Sequence, residues 1–287
     1  ANLTTMGVTV VPGAVTEPNT LLAPMKGCDG VFHVAGWYKI GGRDKIDGQR
    51  INIDGTRNVL QAMLDLGIPK GVYTSTLAIN SDTQGQLRDE TYHFSGSHLS
   101  EYDRTKAVAH HVALEFIQKG LPLAIVMPGL IYGPGDTSSL RENIIKLLRG
   151  KLPAIPNRTA FCWAHVDDIA RAHLLAMEKG RTGESYIIAG PPHTLEEAMR
   201  MACQTSGKKM PMVVPAAMLR GLAPVMGLLE TIFPVPADYS AENLRVTSGT
   251  TYLGDNTKAR RELGYAPRSL AEGWPETILH EMKALNL

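Results

Sequence analysis

A chain of 287 residues, 44% hydrophobic and 20% charged, carries enough apolar material for a sizeable core in one large α/β domain or one domain plus a lobe. A formal net charge of +1 without a basic block excludes a surface built for nucleic acid. Three cysteines, Cys28, Cys162 and Cys203, form no CxxC and fit a reducing cytoplasm, with the thiols packed as small apolar groups. There is no HExxH, no Cys/His cluster and no carboxylate-rich calcium loop, so no metal is expected. The neighbours His110 and His111 point to different faces of a helix and make a poor ligand pair. No signal peptide or long apolar run occurs, and the most apolar region, residues 211–236, is broken by Pro215, Arg220, Pro224, Glu230 and Pro234, so no membrane span is expected.

In chain order, residues 8–11 are a β-branched run ending at Pro12-Gly13 and predict a strand and turn. Residues 19–26 predict a short helix. Residues 31–36 predict a strand, nearly all apolar as a parallel strand covered on both faces must be. Residues 49–66 have helical periodicity and stop at Gly67; residues 71–75 predict the next strand. Residues 81–100 are polar and aperiodic, a long loop of the kind that often carries function. Helix 102–119 stops at Gly120, strand 123–127 at Pro128-Gly129, helix 140–148 at Gly150, helix 168–178 at Gly180 and strand 185–188 at Gly190. Residues 194–205 open with Thr194 and Glu197, a capping-box pattern, and 258–263 and 275–284 predict late helices. Alternating strands and helices predict a parallel sheet with helices on both faces; after Gly190 strand signals thin and a smaller, mostly helical lobe is expected.

Ligands in such folds sit at the carboxyl ends of the strands, which brings Ala35-Gly36, Ser75-Thr76 and Pro128-Gly129 around one crevice. The helix beside them carries Tyr102 and Lys106, four apart and therefore on one face. Of the nine tyrosines, only Tyr102 has a lysine four residues later. An ammonium beside a phenol lowers a pKa that starts near ~10 and lets the tyrosine pass a proton near neutral pH. The same spacing also fits a surface tyrosine and a solvated lysine at a helix start.

The pieces His33-Val34-Ala35-Gly36, residues 52–60 (NIDGTRNVL), Tyr73-Thr74-Ser75-Thr76, residues 102–106 (YDRTK), 127–136 (MPGLIYGPGD), 165–170 (HVDDIA) and 258–265 (KARRELGY) occur in the order found in one family. On them the chain resembles the extended short-chain dehydrogenase/reductase family, also called the NAD-dependent epimerase/dehydratase family, from about residue 8 to residue 283. Within it the chain looks most like the dihydroflavonol-reductase-like, hydroxysteroid-dehydrogenase-like and hopanoid-associated members. The resemblance implies a Rossmann-like, doubly wound α/β fold: a dinucleotide-binding domain over 1–190, with 137–164 contributing to the substrate lobe, and a substrate-binding lobe over 191–287.

It also implies NAD or NADP as cofactor, which carries the hydride chemistry while the protein supplies position and electrostatics. Tyr102 is then the general acid/base, Lys106 lowers its pKa and holds the ribose hydroxyls, and Thr76 bonds the substrate oxygen, with Ser75 the neighbouring candidate. Ala35 and Gly36 allow close backbone approach to the cofactor, and Pro128, Leu130 and Ile131 lie along the nicotinamide. By position alone Ser75 and Thr76 merely end a strand. Asp167 and Asp168 read as N-caps rather than catalysts, His165 as a buried polar residue, Asn52 and Asn58 as cross-links, and Asp136 as part of a turn, with Tyr132 facing the substrate. A homodimer through helices 52–66 and 102–119 is consistent with the resemblance, as is a cytoplasmic location.

The chain departs from the family at its start. The GxxGxxG turn that seats a pyrophosphate on a helix N-terminus does not occur. The sequence opens near the family's third strand, so on the order of 40 residues, a strand-helix-strand unit, are expected to be missing. Without them the first two strands of the sheet are lacking, and weak dinucleotide binding and poor stability are expected. Ala14 stands where the family often has Asp, and Met127 where it commonly has Arg. The Met-, Leu-, Ala- and Pro-rich region 211–239 either lines the substrate side, favouring a small apolar ketone or secondary alcohol, or forms the lobe's core. A nucleotide sugar would need a cationic clamp, for which Arg141, Lys146, Arg158 and Arg220 are candidates. The expected function is thus an NAD(P)-dependent oxidoreductase with a Thr-Tyr-Lys site; the alternatives are a nucleotide-sugar epimerase/dehydratase or a non-catalytic binding or assembly subunit.

Overall fold

The computed structural model describes residues 3–41, 45–233, 235–236 and 240–287. Its elements run α1 (Asn19–Met25), β1 (Val31–His33), α2 (Gly55–Asp65, led by a π-helical segment Gly48–Asp54), β2 (Gly71–Thr74), α3 (Glu101–Gln118), β3 (Leu123–Pro128) and β4 (Leu130–Tyr132). There follow α4 (Ser139–Leu148), β5 (Ala154–Pro156), β6 (Ala160–His165), α5 (Val166–Lys179), β7 (Ser185–Ile188), β8 (Pro192–Thr194) and α6 (Leu195–Ser206). The chain closes with β9 (Met212–Val214), α7 (Ala216–Glu230), α8 (Ala241–Thr247), β10 (Thr251–Tyr252), α9 (Thr257–Leu263) and α10 (Leu270–Ala284).

The main sheet has the order β1-β2-β3-β7, all parallel. Strand side chains alternate between its faces, and both faces are apolar. Leu123, Ile125 and Met127 of β3 enter a core with Leu60 and Met63 of α2 and Val112 and Phe116 of α3. Ala124 and Val126, from the opposite face, pack with Ala172 and Ala176 of α5 and Leu263 of α9. This two-sided burial explains the unbroken apolar strands and gives the doubly wound α/β architecture.

A second sheet has the order β10-β6-β4, with β8 antiparallel to β6, and β5 pairs with β9. Its core joins Tyr132 and Trp163 to Leu140 and Ile144 of α4, Ala198 and Met199 of α6, and Trp274 of α10. The Trp274 indole donates to Ala198 O at 2.7 Å, so its one polar atom is satisfied inside that core. The two sheets meet where glycine is required. A Cβ on Gly129 would run into the Cys162 carbonyl, and one on Gly190 into that of Trp163.

Several expectations are corrected. Residues 8–11 form no strand; their side chains are exposed, no ladder among the described residues includes them, and β-propensity alone does not make one. The strand expected over 31–36 ends at His33. Strands β4, β5, β6, β8, β9 and β10 were not foreseen, being two to six residues long. The Thr194–Glu197 capping box forms as expected. A second box, Ser269 with Glu272, starts α10 five residues before Pro275. Helix α5 is capped by His165, whose ring accepts from Asp167 N, rather than by Asp167 or Asp168. Asp168 instead binds the Arg268 guanidinium at 3.0 Å.

The described residues of region 211–239 neither join the core clusters nor line the cleft described below. Helix α7 buries Ala216 and Ala223, which turns its large side chains outward. Tyr239, with residues 234, 237 and 238, lies outside the described residues.

Gly190→Ala is expected to destabilise the protein by at least about 1–3 kcal/mol, because backbone on both sides must move. Gly221→Ala, in helix α7 with open space around it, should stabilise by about 0.5–1 kcal/mol. Urea unfolding of the two variants checks the contrast, and equal stabilities would refute the close approach at Gly190.

Candidate active site

Helix α3 begins at Ser100, whose hydroxyl accepts Asp103 N at 3.0 Å. From there Tyr102, Lys106 and His110 follow at intervals of four and share one face. That face meets the end of β2 one residue at a time. Lys106 Nζ donates to Thr74 O at 2.7 Å and to Tyr73 OH at 3.3 Å, and lies 4.9 Å from the Tyr73 ring centroid. His110 Nδ1 shares a 2.9 Å hydrogen bond with Ser75 Oγ. Tyr102 comes close enough to the Thr76 side chain for that hydroxyl to favour the phenolate. Thr76 caps a short 3-10 turn, accepting Ala78 N at 3.2 Å, so its own proton remains available to donate.

These groups open on a cleft of about 480 Å³ lined by Thr76, Tyr102 and Lys106 together with Pro128, Leu130 and Ile131. Gly36, Ser75 and Tyr132 also line it, whereas Ala35 is exposed outside the lining. Tyr132 is otherwise enclosed, its ring set edge-on to Trp163, His165 and Trp274. Asp136 holds its turn by accepting Ser138 N at 2.7 Å. Asn52 binds both Trp37 N (2.7 Å) and Trp37 O (3.1 Å) and donates to Thr105 at 2.9 Å, tying the β1 loop to α3; Asn58 donates to Val15 O at 2.9 Å.

Burial sets the electrostatics. It pulls the Lys106 pKa down to about 7 and His110 to about 4. The Tyr102 phenol is raised above its ordinary value, first by burial and then by neighbouring Tyr38, with the Thr76 hydrogen bond opposing. The expected lowering of Tyr102 by Lys106 is therefore corrected: the ammonium is committed to Thr74 and Tyr73, and desolvation governs the phenol. Asp103 is pushed up to about 7, first by burial and also by the Glu242 charge, with hydrogen bonds from Ser100 and Tyr252 opposing. Its Oδ2 accepts Tyr252 OH at 3.0 Å.

Four contributors were not foreseen. Tyr38 sets its ring edge-on to Tyr102 at 4.7 Å, and Tyr73, Asp103 and Tyr252 come in through tertiary contact. His110 was within reach of the sequence, since it continues the Tyr102–Lys106 spacing by one more turn.

The arrangement fits the nicotinamide-ribose end of a dinucleotide. An ammonium has three donors, and the two hydrogen bonds to Thr74 and Tyr73 leave Lys106 one for a ribose hydroxyl at the cleft wall. A pyrophosphate seat of the GxxGxxG type does not occur in these 287 residues.

The family model described as the NAD dependent epimerase/dehydratase family matches residues 2–189. Sterol demethylase protein B of Methylococcus capsulatus is 27% identical over 276 residues, covering 93% of this chain and 82% of that protein. A 4-hydroxy-2-methyl-3-oxo-4-farnesyl-3,4-dihydroquinoline-1-oxide ketoreductase of Stigmatella aurantiaca is 30% identical over 268 residues, covering 92% and 80%. Among solved structures, that of gox2253 superposes with a TM-score of 0.83 at 32% identity, covering 95% of this chain and 84% of that one.

A carboxyl whose folded pKa stands near 7 against an ordinary 3.8 favours the fold when protonated. Its stabilisation is complete below about pH 4 and is lost as pH rises through about 7. Asp103→Asn keeps an acceptor for Tyr252 and removes that loss. Its melting temperature relative to the parent should rise between pH 4 and pH 8; a constant difference would show that Asp103 ionises normally.

Proposed function

The chain belongs to the NAD dependent epimerase/dehydratase family of extended short-chain dehydrogenases/reductases, and from that premise we propose that its cleft interconverts a ketone and a secondary alcohol on a small apolar substrate. One observation carries the reading: Thr76, Tyr102 and Lys106 meet at the carboxyl end of β2 and line one cleft with Pro128, Leu130 and Ile131.

In the reducing direction Thr76 Oγ1 donates a hydrogen bond to the substrate carbonyl and fixes its oxygen beside Tyr102. The raised phenol pKa keeps Tyr102 protonated at neutral pH, so it arrives with the proton that the developing alkoxide needs. Lys106, held by Thr74 O, presents its remaining N–H to the ribose hydroxyls and places positive charge near the phenolate left behind. A bound nicotinamide supplies the hydride. In the oxidising direction the same groups act in reverse.

The apolar substrate class rests on the rest of the lining, which includes Trp37, Ile40, Phe161, Val166 and Val246. None of Arg141, Lys146, Arg158 and Arg220 lines the cleft. Arg141 is bound to Glu281 at 2.9 Å, and Arg220 to Ser248 O at 2.6 Å and Asp82 at 3.5 Å. A diphosphate clamp from Arg141 or Arg220 would have to break such bonds. The ketoreductase relative, named for a farnesylated substrate, supports the same class.

Titration with NADH and NADPH, followed by nicotinamide fluorescence, should show binding. With a steroid ketone as probe and cofactor oxidation as readout, Tyr102→Phe should cut turnover by about 100-fold or more while leaving cofactor affinity nearly unchanged. Unaltered turnover would remove Tyr102 from the mechanism. Conversion of UDP-glucose in place of the ketone would move the assignment to the epimerases.

A further inference from the structure

A buried ammonium is ordinarily met by a carboxylate. Lys106 is not: among the described residues no carboxylate forms an ion pair with it, and burial pulls its pKa down to about 7. The groups that meet it are neutral. They are Thr74 O at 2.7 Å, Tyr73 OH at 3.3 Å and the face of the Tyr73 ring, whose centroid is 4.9 Å away. Two of these three come from one side chain, Tyr73. The titratable groups around Lys106 are His33 from β1, Tyr73 from β2, and Tyr102, Asp103 and His110 on its own helix.

Tyr73 is 0% exposed, so each of its polar atoms needs a partner inside the protein. An ammonium can only donate, so the phenol oxygen accepts from Lys106 and its own hydrogen must point elsewhere. The Thr56 hydroxyl, on α2, comes close enough to Tyr73 to favour its phenolate. Thr56 Oγ1 in turn shares a 3.0 Å hydrogen bond with His33 Nε2, and the His33 ring lies 5.4 Å from the Tyr73 ring. His33 stays neutral there: burial first, and the Lys106 charge second, pull its pKa down to about 3. A neutral imidazole offers one lone pair. With every hydrogen placed, the line runs one way while Lys106 is charged. Lys106 donates to Tyr73, Tyr73 to Thr56, and Thr56 to His33 Nε2.

We propose that Tyr73 is the positioning residue for the Lys106 ammonium: Thr56 and His33 take up the hydrogen of its phenol, keep the phenol's lone pair turned toward Lys106, and so maintain the charge that Lys106 presents to the cleft. That this charge serves a ribose hydroxyl rests on the function proposed above; the arrangement behind Lys106 does not.

The test is carbon-13 NMR of the full chain labelled in lysine. The Lys106 Cε signal, assigned with Lys106→Arg, is followed through a pH titration without cofactor. Tyr73→Phe keeps the ring and removes the hydroxyl. The ammonium then loses an acceptor, and its midpoint should fall from about 7 by about one pH unit. Thr56→Val should move the midpoint the same way, and Thr56→Ser should hold it at the parent value; circular dichroism melts check that all three variants are folded. Nitrogen-15 spectra at pH 6 should show His33 protonated on Nδ1 and unprotonated on Nε2. Three results would overturn the proposal: an unmoved midpoint in folded Tyr73→Phe or Thr56→Val, a Thr56→Ser midpoint that falls as far as that of Thr56→Val, or a proton on His33 Nε2 at pH 6. NADH titration at pH 7 separates this from the function of the cleft. With the midpoint one unit lower, the charged fraction of Lys106 falls from about half to about one tenth, and NADH affinity should drop roughly fivefold. An unchanged affinity beside a shifted midpoint upholds the role of Tyr73 and counts against the ribose contact.

Discussion

An ammonium taken out of water must be met by fixed acceptors, and Lys106, 5% exposed, is met by the carbonyl of Thr74. This one requirement seats α3 across the carboxyl end of β2. Once it is seated, His110 reaches Ser75 and Tyr102 reaches Thr76 without further choice, because the three helix residues share a face and the three strand residues are consecutive. Asn52 makes the placement firmer from the other side by binding Thr105 and the Trp37 backbone. The cleft therefore rests on a contact between α3 and the end of β2, while Val246 of α8 and Tyr252 of β10 add to its lining.

Desolvation gives this cleft its chemical character. Lys106 is pulled down to about 7 and His110, one turn on, to about 4, and Asp103 is pushed up to about 7. Each group is driven toward its neutral form, in agreement with the low local dielectric of a buried site. A proton donor in such surroundings holds its proton until charge develops on the substrate oxygen. Hydrogen bonds from preplaced groups then count for more than they would in water.

Much of this was readable from the sequence, and the failures have definite causes. Strands β2, β3 and β7 were legible because both their faces are buried, and Gly67, Gly120 and Gly150 marked helix ends with positive φ. Tyr102 and Lys106 were legible because their relation is local. Tyr252 was not, since its bond to Asp103 spans 149 residues of sequence. The sign of the Tyr102 shift was missed for a similar reason: spacing gives proximity, but burial depth comes from packing. Residues 8–11 looked like a strand because propensity is a property of residues, whereas a strand is a property of a pair. Composition likewise revealed that 211–239 was apolar without revealing which way α7 would face.

The main sheet has a kinetic consequence. Its registers pair Gly71 with Leu123 and Ile125 with Ser185, so each ladder closes only after a long intervening segment has been gathered in. No hairpin offers a cheap first contact, and loop-closure entropy must be met before any inter-strand hydrogen bond forms. Parallel sheets of this contact order fold slowly and expose unpaired edges meanwhile. On a ribosome β3, which like β2 is paired on both sides in the finished sheet, emerges well before its partner β7. The nascent chain therefore holds one side of β3 unpaired until β7 has emerged.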